Sequence, residues 1–319
     1  MTRLMLQRLA TALAVCTLVV SLSWAMVWML PGDVAMRVAA GRHGHDLVTV
    51  AAADAVRQEL GLALPVWQAW LQWCLTLLQQ GLGHSWVSGR SVWAELQHQL
   101  GATLSLTGTA LLAALAIGLP LGWQAGRHPG SLTDRLGMAA CVLLRALPPF
   151  LLAVVLMLWV AVHWGVLPVA GMAGEMSGVL PALTLALGLA ASLAQVTRQA
   201  VLAAVSLPSH QFARTCGLSE AQVAWQHDAR HAAAPVLSHL GVQTVWLLEG
   251  AVVVESLFAW PGIGHALVHA VFARDVPMIQ GCALCMALLF VGVRTAVDLL
   301  CQQLDARGHP ASLHGRAST

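Results

Sequence analysis

Six long apolar stretches limit what this chain can fold into. They lie at about residues 9–30, 101–125, 137–163, 179–201, 236–258 and 280–303. A transmembrane helix needs about 20 mainly apolar residues, and each stretch reaches that length. Only 9% of the residues are charged, whereas soluble domains carry about 25%. The pattern predicts an all-α, polytopic membrane protein with six transmembrane helices.

The first apolar stretch follows Arg3 and Arg8, as the apolar part of a signal peptide would. It is longer than the apolar part of a typical signal peptide, and no small-x-small cleavage site follows it. We therefore interpret it as a retained membrane anchor.

Arginine alone predicts the orientation, because the chain contains no lysine. Basic residues close to the spans collect on the cytoplasmic side of a membrane protein. With six spans, both termini lie on one side, and most of the arginines near the spans fall there: Arg3, Arg8, Arg127, Arg135, Arg198, Arg214, Arg230, Arg307 and Arg316. We expect both termini to be cytoplasmic. The net charge of +2 does not indicate nucleic-acid binding.

A polar segment separates the fourth and fifth apolar stretches. Gly217 suits the left-handed residue that ends a helix, and Ser219 with Gln222 forms the pattern of a capping box that begins another. The segment predicts a helix, a tight turn and a second helix on the cytoplasmic side, where a soluble partner can bind. An ordinary polar loop is the alternative interpretation.

Several motifs resemble those of known membrane proteins. Ala213, Gly217 and Pro235 stand where the inner-membrane permease subunits of ABC importers carry their signature loop. Further blocks are similar to the dipeptide, oligopeptide and nickel branch of that family; they lie at 30–33, 60–62, 255–264 and 274–277. The sequence Phe-Ala-Trp-Pro-Gly at 258–262 is nearest to nickel-type permeases, although peptide permeases carry similar words. The resemblance runs from about residue 3 to residue 307.

The resemblance implies a type I ABC importer permease (MetI-like) fold in a bacterial inner membrane, surrounded by lipid. It implies as partners a second permease subunit, two cytoplasmic ABC ATPase subunits and an external solute-binding protein, and it implies no cofactor. The expected ATPase-coupling loop comprises Gln211, Ala213, Arg214, Gly217, Leu218 and Ser219. Gln211 departs from the family, which usually has an acidic residue there.

We divide the chain into three regions on the same basis. Residues 1–100 hold the N-terminal transmembrane helix and a long periplasmic loop. Residues 101–305 form the permease core, with the coupling loop near 205–235, and 306–319 form a cytoplasmic tail. A P-loop requires lysine, so a chain without lysine is expected to be a transport subunit with ATP hydrolysis on separate subunits.

Ionisable residues inside the spans are the candidates for the solute path, because such groups are costly in a membrane and tend to face a cavity or a partner. Glu249 lies in the fifth span, and Glu255 and Phe258 follow it. The three residues form our candidate translocation path. The alternative for Glu249 is a structural ion pair with Arg145 of the third span.

The substrate prediction is nickel or a metal chelate, with a dipeptide or oligopeptide as the alternative. His43 and His45 of the outer loop are weak candidates for metal contact, since imidazole binds nickel. Histidines at span ends, among them His210 and His239, are interpreted as polar flanks. A stand-alone secondary transporter is a further alternative, but it needs internal repeats that we do not find.

Overall fold

The computed structural model describes residues 2–29, 33–43, 49–59, 67–68, 70, 75, 81–171, 174 and 176–305. These residues are mainly helical, and apart from one isolated bridge between His84 and Ser91 they contain no strand pairing. The all-α prediction is confirmed. The motif at 60–62, His45, Arg307 and the predicted tail lie outside the described residues.

The helices occur in the following order: α1 (Thr2–Met29), α2 (Val34–His43), α3 (Val50–Glu59), α4 (Val92–Arg127), α5 (Leu132–Ala146), α6 (Pro149–Leu156), α7 (Val179–Val205), α8 (Pro208–Thr215), α9 (Glu220–Val223), α10 (Ala229–Leu257), α11 (Ile263–Ala273) and α12 (Val276–Asp305). Two π-helical segments extend them. Met157–His163 continues α6, and Ala224–Asp228 joins α9 to α10.

Within the described part of the chain, four helices are long and apolar enough to cross a membrane. They are Val92–Arg127, Val179–Val205, Glu220–Leu257 and Val276–Leu299. The pair Leu132–Ala146 and Pro149–His163 makes a fifth span if the two are counted together. The first predicted span falls in α1, where the apolar helical stretch Ala10–Leu22 is shorter than the others.

The third predicted span, 137–163, is not a continuous helix. Its two halves, α5 and α6 with its extension, are bent by 108°. The residue before a proline is biased away from helical backbone, and Leu147 accordingly has φ −85° and ψ 126°. Pro148 is also extended, and Pro149 then occupies the first helical position of α6, where a missing N–H costs nothing. The Leu-Pro-Pro sequence is therefore the physical cause of the break.

The chain folds as two compact units, and each unit is built from segments that are not consecutive in the sequence. The first comprises Met1–Leu106, Pro168–Gly178 and Ala251–Val291; the second comprises Thr107–Leu167, Val179–Gly250 and Gly292–Thr319. The first unit has a core of side chains from the start of α4 and from α11 and α12, including Val92, Leu96, Ile263, Ile279 and Cys282.

Close contact between α4 and α7 organises the second unit. Gly118, Gly122 and Gly126 lie four residues apart along α4. A Cβ atom added to them would stand 2.8, 2.4 and 2.9 Å from the carbonyl oxygens of Ala190, Ala194 and Arg198 on α7. Small residues at this spacing let two membrane helices pack backbone to backbone.

Candidate functional site

The polar segment of the second unit folds as the sequence predicted. Helix α8 ends at Cys216, and Gly217 follows with a φ of +81°. The Leu218 amide donates to the Ala213 carbonyl at 3.3 Å, and the Gly217 amide donates to the Arg214 carbonyl at 3.0 Å. This pair of bonds is the Schellman pattern, which needs a left-handed residue at the glycine. The helix-turn-helix prediction is confirmed.

The second helix of this segment begins with the predicted cap. The Ser219 hydroxyl accepts the Gln222 amide at 3.4 Å, and Gln222 Oε1 accepts the Ser219 amide at 2.9 Å. The capping box satisfies two amide groups that would otherwise lack partners at the start of α9. We call the exposed segment from Pro208 to Asp228 the knob.

The knob presents an unusual surface. Phe212 and Trp225 are 69% and 78% exposed, and Gln211, Arg214 and Ser219 are exposed polar residues. Leu218 is half-buried, whereas Ala213 is buried. The knob thus combines a rigid turn with apolar and polar side chains that its own fold leaves uncovered, which is what a contact for a partner requires.

A buried pair that sequence reasoning missed anchors the knob. His210 Nδ1 lies 2.7 Å from Asp228 Oδ1, and both side chains are almost completely buried. The bond joins α8 to the π-helical segment that leads into α10. The sequence predicts only a polar flank at His210, because 18 positions separate it from Asp228 and no local pattern links the two.

The knob is also tied to neighbouring helices. Glu220 lies 2.8 Å from Arg214 and 3.3 Å from Arg127 of α4. Trp225 stacks on Trp123 of α4 with ring centroids 6.3 Å apart. Exposed ion pairs contribute little individually, so the helix connection through Asp228 and the tryptophan stack carry more of the attachment.

Two of the three path candidates are closed off from solvent inside the first unit. Glu255 is 0% exposed and Phe258 is 2% exposed. Glu255 accepts the Thr103 hydroxyl at 2.7 Å and the Gly264 amide at 2.8 Å. The burial of both residues is at odds with a path-lining role. Through the hydrogen bonds of Glu255, the segment 255–264 instead holds the start of α11 against α10 and α4.

The Glu255 carboxylate and the backbone of α10 explain the glycines of that segment. A Cβ atom at Gly262 would overlap Glu255 Cδ, and one at Gly264 would lie 2.5 Å from Val252 Cα and 2.9 Å from Glu255 Oε2. Neither position has room for a side chain. The Glu-to-Gly spacing that resembled the family therefore encodes a local fold.

Glu249 differs from these residues because its side chain is exposed within the second unit. Its alternative role, an ion pair with Arg145, is absent from the structure. Arg145 Nη1 instead donates to Gln195 Oε1 at 2.6 Å. Glu249 thus remains a candidate for the path.

The metal candidates find no support in the described residues. His43 is the last residue of α2, and His45 is outside the described range. No three His, Cys, Asp or Glu side chains converge in the part of the chain that the structure describes. His239, treated as a flank, lies 3.2 Å from the Ser192 hydroxyl.

Comparison with known proteins matches both ends of the chain to described families. Residues 118–308 match "Binding-protein-dependent transport system inner membrane component", and residues 1–107 match the N-terminal region of the same class of membrane component. The glutathione transport system permease protein GsiC of Salmonella paratyphi A is 34% identical over 92% of this chain and 95% of its own length. The dipeptide transport system permease protein DppB of Escherichia coli K12 is 30% identical over 94% and 96%.

Solved structures agree on the fold. A chain of an amino acid ABC transporter crystallised with histidines superposes with a TM-score of 0.54 at 16% identity, covering 66% of this chain and 94% of that one. A chain of the inward-facing MetNI methionine ABC transporter superposes with a TM-score of 0.55 at 18% identity, covering 66% and 96%. Identities this low support the fold alone.

The same substitution at two glutamates of α10 tests whether Glu255 is buried and Glu249 is exposed. Glu255→Gln is expected to destabilise the protein by about 1–3 kcal/mol, because the amide N–H₂ replaces an oxygen that accepts one of the two buried hydrogen bonds. Glu249→Gln is expected to change stability little, because that side chain is exposed. The measurement is the thermal midpoint of the detergent-solubilised protein by fluorescence-detected size exclusion. Equal thermal midpoints for the two variants would contradict a stabilising role for the buried Glu255 carboxylate.

Proposed function

The chain belongs to the binding-protein-dependent transport system inner membrane components, and on that premise we propose that it forms the translocation path of an importer for short peptides. Members of this family are permease subunits of ABC importers, which work with ATPase and binding-protein partners. The chain is a transport subunit, with ATP hydrolysis on separate subunits.

The similarity to a glutathione permease and a dipeptide permease, each over more than nine-tenths of the chain, is the observation that carries the substrate proposal. It reverses the order that the sequence motifs favoured, in which nickel or a metal chelate came first. The sequence at 258–262 does not separate the two substrate classes, because peptide permeases carry a similar sequence there.

The subunit arrangement is part of the same proposal. We place both termini and the knob in the cytoplasm of a bacterial cell, with the chain crossing the inner membrane several times. A second, different permease subunit would complete the path. Two ATPases would bind on the cytoplasmic side, and a solute-binding protein would deliver the peptide from outside the membrane.

The knob is the proposed contact for an ATPase subunit. Its support is geometric: the Schellman turn at Gly217 and the capping box at Ser219 fix two short helices at an angle, while the His210–Asp228 pair and the Trp225 stack join them to α10 and α4. A displacement of Phe212 or Arg214 by a bound ATPase subunit would therefore be transmitted to the spans α10 and α4. The departure at Gln211 removes one charge from this contact and leaves the turn unchanged.

Glu249 is the proposed acidic group of the path. A mid-span carboxylate that is exposed on its own subunit and makes no ion pair with Arg145 requires water, a partner subunit or a passing cation. For a peptide substrate, that cation is the terminal ammonium group.

Transport measurements test the substrate class. The chain, expressed with its partner subunits and reconstituted in proteoliposomes, is expected to import labelled dipeptide or glutathione when ATP and the solute-binding protein are present. Labelled nickel(II) is expected to remain outside at the same concentrations. Import of nickel(II) without import of either peptide would overturn the proposal.

A strained turn tests the coupling role. Gly217→Val forces a β-branched residue into left-handed backbone, which costs about 1–2 kcal/mol, and it is expected to reduce uptake per assembled complex roughly tenfold. Gly130→Val is the matched control, because Gly130 has a φ of +79° with no atom within 4 Å of an added Cβ and lies outside the knob. Gly217→Asn, which tolerates left-handed backbone, is expected to retain most activity. Equal uptake by the two valine variants would exclude the coupling role of the turn.

Uptake by the Glu249→Gln variant tests the path. The change keeps the volume and removes the charge, so uptake of peptides with a free amino group is expected to fall several-fold while complex abundance stays normal. Uptake of the same peptides with an acetylated amino group is the control and is expected to fall much less. A variant with wild-type uptake of both peptides would remove Glu249 from the path.

A further inference from the structure

The break between α5 and α6 places an arginine at an unusual position. Arg145 lies in the last turn of α5, at the end of the first half of the bent span. In a bilayer, non-helical backbone at such a break is tolerated where it is buried in protein or lines a water-filled cavity. The negative end of a helix also favours a positive charge there. The break thus holds a cation at the edge of a space inside the membrane region.

Arg145 is exposed within the second unit, and the residue that it contacts there is neutral. Its guanidinium group has five N–H donors, and its one hydrogen bond to a described residue goes to Gln195. Next to Gln195 along α7, Ser192 accepts Gln243 Nε2 at 2.8 Å and contacts His239. Among the described residues no carboxylate lies within 4.0 Å of Arg145, so the fold leaves the positive charge uncompensated.

An apolar cavity of about 190 Å³ adjoins the same helices. Its walls come from both sides of the break and from α7 and α10, and they include Leu144, Leu147, Leu185, Leu189, Trp246 and Leu247. Gln243 both lines the cavity and donates to Ser192. Arg145 and Gln195 are not among the lining residues, but Arg145 lies between Leu144 and Leu147 along the chain, and Gln195 lies about one helical turn beyond Ser192 on α7. The polar cluster is therefore adjacent to the apolar cavity.

We propose that Arg145 binds the terminal carboxylate of the transported solute while an apolar side chain of that solute occupies the adjoining cavity. The inference rests on the proposed peptide function and deepens it, because every unmodified peptide carries a terminal carboxylate. A guanidinium group can bind a carboxylate with two parallel hydrogen bonds. Gln195 acts as a positioning residue, because its Oε1 accepts a hydrogen bond from the Arg145 guanidinium.

The site selects a chemical class. A solute with a carboxylate and a neighbouring apolar group satisfies both parts, whereas a hydrated metal cation is repelled by Arg145 and gains nothing from leucine side chains. An amidated peptide fills the cavity but leaves the arginine uncompensated. The difference in binding affinity between a peptide and its C-terminal amide therefore measures the Arg145 contact separately from the apolar contact.

Equilibrium binding to the purified complex, without the solute-binding protein, tests the proposal. The probes are radiolabelled Ala-Phe and its C-terminal amide, held by the nucleotide-free complex of both permeases and both ATPases. The wild type is expected to bind the acid about tenfold more tightly than the amide. Arg145→Gln is expected to abolish that preference, and Arg145→Lys is expected to keep part of it. Arg135→Gln, which removes an exposed arginine ten positions earlier on α5, is the control and is expected to keep the full preference.

Each other outcome decides against the proposal. A preference for the acid that survives in Arg145→Gln would assign carboxylate recognition elsewhere. Equal loss of both probes in Arg145→Gln would indicate a structural role or a bound lipid phosphate. If the Arg145→Gln complex fails to assemble, the Arg145→Lys variant tests the proposal. An Arg145→Lys complex that assembles in normal amounts but shows no preference for the acid would overturn the proposal. A wild type that imports Ala-Phe but retains neither probe would overturn it and leave the proposed function standing. Absence of peptide import by the wild type would reject the proposed function itself.

Discussion

The need to satisfy every backbone hydrogen bond in hydrocarbon governs this structure. Unpaired amide and carbonyl groups are costly in a membrane, so the chain crosses it as helices and must manage each interruption. The main interruption is the Leu147–Pro148 break in the third span. In the knob between α7 and α10, which we place outside the membrane, the Schellman turn and the capping box supply the partners that a continuing helix would otherwise provide.

Charged side chains inside the membrane region have three different fates. Glu255 is buried and hydrogen-bonded by Thr103 and Gly264, so it stabilises a local fold. Glu249 is exposed on its own subunit, and Arg145 has only a neutral partner. The hydrogen bonds of Glu255 are made within this chain, whereas neither Glu249 nor Arg145 makes an ion pair within its own unit. That contrast is the basis for proposing that Glu249 and Arg145 contact a solute or a neighbouring subunit.

The knob illustrates how local and distant interactions combine. Its turn follows from Gly217 alone, and its second helix follows from Ser219 and Gln222. Its attachment to the membrane helices depends on His210, Asp228, Trp123 and Trp225, which are brought together by the packing of α4, α8 and α10. A stiff turn without that attachment would move independently of the spans.

The sequence by itself determined the helical class, the second, fourth, fifth and sixth membrane spans, the family, and the turn and helix cap of the knob. These properties depend on apolar length, capping patterns and glycine backbone freedom, which act over a few neighbouring residues. Only the tertiary structure decided that Glu255 and Phe258 are interior, that Arg145 contacts Gln195 and not Glu249, and that His210 pairs with Asp228. Burial and pairing depend on which helices meet and at what rotation, and contacts between residues 50 or 152 positions apart leave no mark in any local pattern.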